Sequence, residues 1–232
     1  MKILGIDTAT KSLSLGIYDD GRVYECELES GRKLSSLLAP VTARCLEAAG
    51  LEVADIDYFA CGLGPGSFTG MRIGIAFIKG MAWAAKKPVA GISTLDILAK
   101  NVSGASEEIV TAVDAKRDLI YCSIYKNKNG VLKRMAPHML LSPDQLLKKV
   151  KPNSIILGDA AGLYKELFLR RVKGAVVLDR DHWYPKANNL IELALARIKG
   201  KELTDCFRLK PIYLYPDECQ VRRASNRKSG VK

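Results

Sequence analysis

The sequence is poor in the residues that hold metal ions. Only two histidines occur, His138 and His182, and neither belongs to an HxxxH or HExxH pattern. The six cysteines are scattered through the chain with no CxxC pair. Structural zinc sites and zinc hydrolases need closely spaced ligands of these kinds, so we expect no metal site. Scattered cysteines are typical of reduced cytosolic thiols rather than of a disulfide framework.

The sequence also lacks the long uncharged run of a membrane span. Its most apolar stretch, residues 69–85, contains Arg72 and Lys79 and is bounded by Pro65 and Pro88. A spanning helix needs about 20 consecutive apolar residues. The first residues lead directly into a predicted strand, and we identify no signal peptide. We therefore expect a cytoplasmic protein that makes no contact with membranes.

Acidic residues are outnumbered by basic ones. The chain has 25 aspartates and glutamates against 36 lysines and arginines, which gives a formal charge of +11. Much of this excess lies in residues 216–232, which contain few apolar side chains, so we predict a disordered basic tail there. A basic surface neutralises the phosphates of nucleic acids. It also keeps a protein soluble, and charge alone does not decide between these roles.

The composition fits a protein with a hydrophobic core of its own. Of the 232 residues, 48% are hydrophobic and 26% are charged, which is typical of a globular domain. The length suits one large domain or two small lobes. The Ser-Gly-Ala-Ser segment at 103–106 is the predicted boundary, so we assign residues 1–104 to an N-terminal lobe and residues 105–215 to a C-terminal lobe.

Both halves show the same predicted order of elements, with three antiparallel strands followed by alternating helices and strands. In the first half we predict strands at 2–7, 12–18, 22–28, 56–61 and 89–92, and helices that end at Gly50, at 85 and at 100. In the second half we predict strands at 109–114, 120–125, 131–134, 154–157 and 175–178, helices at 142–150, 159–171 and 188–199, and an extended piece at 211–215.

This repetition predicts an α/β protein with a two-lobed actin-like ATPase fold, in which each lobe has a ribonuclease H-like sheet. A single doubly wound sheet is the alternative. In the helix that ends at Gly50, apolar residues at helical spacing begin at Leu34. Pro40 is expected near the first turn of that helix, because proline lacks the N–H that an interior position uses.

The chain is organised around a glycine-rich loop, residues 62–67, and the helix predicted over residues 69–85. Arg72 and Lys79 are the only charges of this helix and lie on one stripe, while most of the remaining circumference is apolar. A helix on a sheet normally shows a single apolar stripe. Either the helix is buried within its own chain, or its excess apolar surface meets a partner. Ala76, Gly80 and Ala84 recur every four residues and would let another helix approach closely.

The glycine-rich loop invites a phosphate-binding interpretation, which its pattern does not support. It is not followed by lysine at Walker spacing, and Pro65 occupies the turn that a dinucleotide fingerprint would need. We expect the loop to set the entry angle of the helix, with Ser67 or Thr69 as its N-terminal cap.

Five segments resemble one known family. They are ILGIDTAT at 3–10, GPGSFTGMRIGIAFIKG at 64–80, GISTLD at 91–96, VDAKRDLIY at 113–121 and PIYL at 211–214. Together they resemble the TsaB (YeaZ) family, the small bacterial proteins that take part in making threonylcarbamoyl-adenosine in tRNA. The resemblance covers nearly the whole chain before the basic tail.

The resemblance implies a non-catalytic subunit with no catalytic residue of its own. It implies pairing with a larger TsaD-like subunit of the same fold, which holds a metal and transfers the threonylcarbamoyl group. It also implies a TsaE-like ATPase as a further partner, tRNA bound through the complex, and a homodimer when the chain is alone. The N-terminal lobe would be the docking lobe, through Leu34, Leu38, Val41, Cys45, Arg72, Ile73, Ala76, Phe77 and Gly80. Many relatives have a histidine near the place of Leu34.

One segment resembles the first phosphate loop of actin-like ATPases. It is Asp7 to Thr10, but Ala9 stands where a glycine is usual, and a Cβ at a point of close approach weakens phosphate binding. We therefore predict at most a vestigial site for ATP or ADP with Mg²⁺ at low affinity, formed by Asp7, Thr8, Thr10, Asp114 and Gly158. The alternative function is an ATP-dependent small-molecule kinase or hydrolase that uses Asp7 and Asp114.

Overall fold

The computed structural model describes residues 1–29 and 31–216. Within this part of the chain, eleven strands form two separate sheets. The basic tail predicted at 216–232 lies outside the described residues apart from Pro216, so its predicted disorder stays a prediction.

The first sheet belongs to the N-terminal half. It contains β1 (Lys2–Asp7), β2 (Ser12–Asp19), β3 (Arg22–Glu29), β4 (Tyr58–Gly62) and β5 (Val89–Ile92) in the order β3-β2-β1-β4-β5. Strands β1 to β3 are antiparallel, and β1, β4 and β5 are parallel. The predicted Asp-Gly turn joins β2 to β3, with φ of 42° at Asp20 and 99° at Gly21, as a two-residue hairpin requires.

The second sheet repeats this plan. It contains β6 (Glu108–Lys116), β7 (Leu119–Lys128), β8 (Val131–Arg134), β9 (Met139–Leu141), β10 (Ile155–Leu157) and β11 (Val176–Val177). The order β8-β7-β6-β10-β11 matches that of the first sheet, and the short β9 also pairs with β7. The predicted two-lobed fold is therefore confirmed, and the single doubly wound sheet is wrong. Strand β9, only three residues long, was not predicted.

The described residues of the first half contain three α-helices, which lie between or after its strands. They are α1 (Leu34–Ala49), α2 (Phe68–Ala85) and α3 (Thr94–Ala99). Helices α1 and α2 cover one face of the first sheet, where side chains such as Leu4, Ile6 and Phe59 are buried. Gly50 ends α1 in the left-handed conformation, and the Ser67 hydroxyl accepts a hydrogen bond from the Gly70 N–H at the start of α2. Both predicted ends are confirmed.

The position predicted for Pro40 is wrong. Helix α1 begins at Leu34, so Pro40 is its seventh residue rather than part of the first turn. Leu34 and Leu38 are buried against the first sheet, and this burial favours the helical turn before the proline. The carbonyl that Pro40 leaves without a helical donor belongs to Ser36, which is exposed, so water can satisfy it.

Four helices follow in the second half. They are α4 (Pro143–Leu147), α5 (Asp159–Leu163), α6 (Lys165–Arg171) and α7 (Ala187–Lys199). The single helix predicted at 159–171 is divided at Tyr164, whose φ is −110°. Helix α7 lies in the range assigned to the C-terminal lobe but packs on the first sheet, on the face opposite α1 and α2. Its Leu190 and Ile191 lie directly over Gly5 of β1.

Helix α3 lies between the two lobes. Ile97 packs with the first sheet and α7, whereas Leu95 and Leu98 pack with β6 and β7 of the second sheet. None of the helices in the described part of the chain has the length and hydropathy needed to cross a membrane.

Candidate functional site

The glycine-rich loop places α2 in close contact with the end of β1 and the residues that follow it. A Cβ added at Gly62 would lie 2.0 Å from the Asp7 carboxylate, and one at Gly66 would lie 2.0 Å from the Ala9 carbonyl oxygen. Within α2, a Cβ at Gly74 would lie 2.2 Å from Oγ1 of Thr8. These glycines are therefore needed for close packing between the loop, the helix and the segment that follows β1.

Asp7 and Thr8, two of the residues predicted to bind nucleotide, take part in this packing. Asp7 is buried, and its carboxylate accepts hydrogen bonds from the Thr94 hydroxyl at 2.6 Å and from the Ala9 N–H at 2.8 Å. Burial raises the pKa of Asp7, and these two bonds partly offset the rise. The buried Thr8 hydroxyl donates to the Gly70 carbonyl oxygen at 2.8 Å. Thr8 thus bonds to α2, whereas Asp7 bonds to the start of α3 and to the segment that follows β1.

A cleft of about 580 Å³ separates the two lobes near these residues. Of the five residues predicted to bind nucleotide, only Thr10 and Asp114 line it. Gly158 is buried at φ 110°, and a Cβ there would lie 2.1 Å from the Ala112 carbonyl oxygen. The structure therefore does not gather Asp7, Thr8 and Gly158 around the cleft, because internal packing uses them.

The acidic side chains of the cleft also have partners within the chain. The Asp114 carboxylate accepts hydrogen bonds from the Lys116 ammonium and from the Lys116 N–H. Asp159 accepts a hydrogen bond from the Asp114 N–H at 2.8 Å, and burial raises its pKa. Among the described residues, no group of three or more His, Cys, Asp or Glu side chains could hold a metal ion.

Helix α2 has one buried face and one exposed face. Met71, Ile75, Ile78 and Ala82 point into the core. On the other side, Arg72, Ala76 and Gly80 are exposed, and Ile73 and Phe77 are half-buried. The five predicted docking residues of α2 are therefore all at least partly accessible, and the described residues do not enclose the helix.

Three of the four docking residues predicted on α1 are buried. Leu34, Leu38 and Val41 are buried in the core between α1 and the first sheet, and Cys45 is half-buried. This corrects the prediction for the first three, since their side chains offer no surface to a partner. Leu34 occupies the start of α1, so a histidine at that place would face the core.

An arginine cluster, formed by Arg72, Phe68 and Tyr213, lies at the N-terminal end of the exposed face. The Arg72 guanidinium lies over the Phe68 ring, 3.8 Å from its centroid, and its Nε donates a hydrogen bond of 2.9 Å to the Tyr213 hydroxyl. The two rings are 5.5 Å apart. Tyr213 comes from the segment predicted to be extended at 211–215. The Ile212 N–H of that segment donates to the Leu63 carbonyl.

A tryptophan groove, lined by Trp83 and Phe207, lies at the other end of α2. The two side chains are 65% and 69% exposed, and the groove also contains Lys86 and Lys87. The Lys79 ammonium donates to the Phe207 carbonyl oxygen at 3.4 Å. The predicted site contained neither Trp83 nor Phe207, although the spacing of Trp83 from Arg72 places it on the same helical face.

The chain is similar to known proteins in both sequence and structure. Residues 28–203 match the family model described as "TsaD: tRNA N6-adenosine threonylcarbamoyltransferase". A relative named tRNA threonylcarbamoyladenosine biosynthesis protein TsaB from Escherichia coli K12 is 28% identical, with 92% of this chain and 94% of the relative covered. A protein of the same name from Bacillus subtilis 168 is 29% identical, with 98% and 100% covered. The solved structure of YeaZ from Pseudomonas aeruginosa superposes with a TM-score of 0.80 at 27% identity, and covers 92% of this chain and 99% of its own.

Proposed function

Because the chain belongs to the tRNA N6-adenosine threonylcarbamoyltransferase (TsaD) family and takes part in the biosynthesis of threonylcarbamoyladenosine in tRNA, we propose that it acts there as a non-catalytic subunit. In this role it pairs with a larger TsaD-like catalytic subunit through the exposed face of α2 and holds that subunit in its active arrangement. A TsaE-like ATPase binds the pair, and tRNA is recognised by the whole complex in the cytoplasm. Without its partner, the chain forms a homodimer through the same face.

The observation that carries this proposal is Gly80. Among the described residues, a Cβ at this position would meet no atom beyond its own turn of α2 within 4 Å, whereas a Cβ at Gly70 or Gly74 of the same helix would contact Thr8. A glycine inside an exposed helix costs about 1 kcal/mol relative to alanine, and the packing within the described part of the chain gives no reason for it. A second helix close to α2 supplies that reason, because interaxial distance depends on side-chain size at the contact.

The hydrogen bonds of Asp7 and Thr8 within the chain support the proposal that the subunit is non-catalytic. A hydrolase or kinase of this fold would need Asp7 to face the cleft, where it could orient a metal-bound water. In this chain its carboxylate is buried and hydrogen-bonded to Thr94 and Ala9. We therefore assign these residues a structural role. ATP or ADP with Mg²⁺ at low affinity stays a prediction for the cleft.

Pairing can be tested by substituting the centre of the α2 face. Ile73→Asp together with Ala76→Arg introduces charge and bulk at two accessible positions, so we expect the double variant to stay folded and to fail to co-elute with a TsaD-like subunit in size-exclusion chromatography. A control double variant, Leu169→Asp together with Arg170→Ala at two exposed positions on α6, should leave pairing intact. Co-elution of the α2 variant at wild-type affinity would show that the docking face lies elsewhere.

A further inference from the structure

We propose that α2 recognises its partner through two anchors at the ends of its exposed face, and that the partner segment is a helix with a matching pair of side chains. The arginine cluster binds a carboxylate of that helix. The tryptophan groove receives an apolar side chain of the same helix. This inference rests on the proposed function and adds the residues that determine affinity and the chemistry of the segment they bind.

The Arg72 side chain is fixed in an orientation that suits binding of a carboxylate. Stacking on Phe68 and the hydrogen bond from Nε to Tyr213 fix the plane of its guanidinium. Among the described residues, no carboxylate lies within ion-pair distance of Arg72. With Nε occupied by Tyr213, the edge formed by Nη1 and Nη2 is left to bind a carboxylate through two parallel hydrogen bonds. Because the side chain is already ordered in the free chain, it loses less conformational entropy on binding, and this favours affinity.

Trp83 provides the second anchor. Its side chain is 65% exposed on the accessible face of α2, and Phe207 stands 69% exposed on the other side of the groove. Tryptophan and arginine are the residues most enriched among those that dominate binding energy at interfaces. Two large apolar side chains around a groove bury a third side chain more completely than either could alone.

The spacing of the anchors defines the partner segment. Arg72 and Trp83 are eleven residues apart, which corresponds to three helical turns and about 16 Å along the axis. They therefore lie on one face, with Ala76 and Gly80 between them. A helix that runs alongside α2 can reach both anchors if its carboxylate and its apolar side chain are also about three turns apart.

Charge around the groove favours the same partner. Lys79 and Lys86 add positive charge near Trp83, and Arg72 adds a third charge at the other end of the face. Lys87 pairs with Asp57 at 3.9 Å, and the Asp205 carboxylate, which lines the groove, offsets one of the three positive charges. The face is therefore basic as well as apolar. It complements a helix that carries acidic residues.

The affinity of the purified chain for a TsaD-like subunit, measured by calorimetric titration, tests this inference. We expect Trp83→Ala, Phe207→Ala and Arg72→Gln each to weaken binding at least tenfold, and Arg72→Lys to weaken it about fivefold because lysine cannot form the paired hydrogen bonds. Leu163→Ala and Arg170→Gln change similarly exposed residues of the other lobe and serve as matched controls. Binding should weaken with salt in the wild type and less so in Arg72→Gln.

The outcomes separate this inference from the proposed function. If Trp83→Ala and Arg72→Gln bind within twofold of wild type while Ile73→Asp with Ala76→Arg does not bind, the docking face stands and the two anchors are wrong. If all of these variants bind normally, the docking face fails as well. If Trp83→Ala lowers only the affinity for tRNA, measured with the chain alone, the groove is an RNA contact and the inference is overturned. Loss of self-association with unchanged TsaD-like binding would assign the anchors to a homodimer and would also overturn it.

Discussion

The hydroxyl of Thr94 donates a 2.6 Å hydrogen bond to the buried carboxylate of Asp7, which precedes it by 87 residues. The same hydroxyl oxygen accepts a hydrogen bond from the Gly64 N–H. Three segments therefore meet at one oxygen: the end of β1, the glycine-rich loop and the start of α3. An aspartate at the end of the first strand is the residue that an enzyme of this fold would use, and here it joins these segments.

Replacement of Asp7 should affect stability rather than nucleotide binding. Asp7→Ala leaves the buried Thr94 hydroxyl and the Ala9 N–H without their acceptor, so we expect the free energy of unfolding to fall by about 2 kcal/mol or more, measured by urea denaturation. Calorimetric titration of ATP with Mg²⁺ into the wild type should show no low-micromolar binding. Low-micromolar affinity that disappears in Asp7→Ala, with stability unchanged, would favour an ATP-dependent enzyme instead.

The buried carboxyl of Asp7 should also make stability depend on pH. Burial raises its pKa, so the folded state holds the proton more tightly than the unfolded state. The contribution of Asp7 to stability therefore falls as pH rises from the ordinary aspartate pKa, about 4, through the raised pKa.

Asp7→Asn removes this contribution and isolates it. The unfolding free energy of the variant minus that of the wild type should increase across this pH window and then level off, in urea titrations at a series of pH values. Asp159→Asn should show the same direction, because burial also raises the pKa of Asp159. Parallel curves for Asp7→Asn and the wild type would contradict the assignment.

Two glycines of α2 should respond to alanine in opposite ways. At Gly74 a methyl group would lie 2.2 Å from Oγ1 of Thr8, which is fixed by its bond to Gly70, so Gly74→Ala should destabilise the chain by about 1–3 kcal/mol. At Gly80 the methyl group would meet no described atom beyond its own turn of α2, so Gly80→Ala should stabilise the isolated chain by up to about 1 kcal/mol. Thermal unfolding of both variants measures this contrast.

The Gly80 variant also tests pairing. A methyl group at the point of close approach should weaken association with a TsaD-like subunit although the chain itself becomes more stable. Gly104→Ala is the control for a general effect of glycine replacement, because Gly104 is far from α2 in sequence and an added Cβ there would meet no described atom beyond its chain neighbours within 4 Å. Unchanged affinity for Gly80→Ala would remove the observation on which the docking face rests.

Much of the fold could be predicted because its signals are local. Alternating strands, the Asp20-Gly21 turn and the apolar periodicity of α2 depend on neighbours in sequence, and the repeated order of elements followed from them. Two local predictions were wrong where tertiary burial decides the outcome. Leu34 extends α1 to the N-terminal side of Pro40, and the predicted helix at 159–171 is divided at Tyr164.

Only those features of the candidate site that depend on local sequence signals could be predicted. The excess apolar surface of α2 is visible in its periodicity, but the periodicity left open whether this surface is exposed or enclosed by the chain itself. The periodicity of α1 gives its apolar stripe but not what covers it, and its own sheet covers Leu34 and Leu38. Trp83 could have been found from its spacing. Tyr213 lies 141 residues from the Arg72 that it contacts, and no local pattern indicates such a contact.

The segment that carries Tyr213 is attached to both lobes. The Ile212 N–H is bonded to Leu63 beside the first sheet, and the Tyr215 hydroxyl is bonded to the Ala115 carbonyl oxygen at the end of β6. Hinge motion of the lobes about the cleft would have to break one of these attachments. The C-terminal segment therefore connects the two lobes across the cleft, and its hydrogen bonds oppose any opening of the cleft.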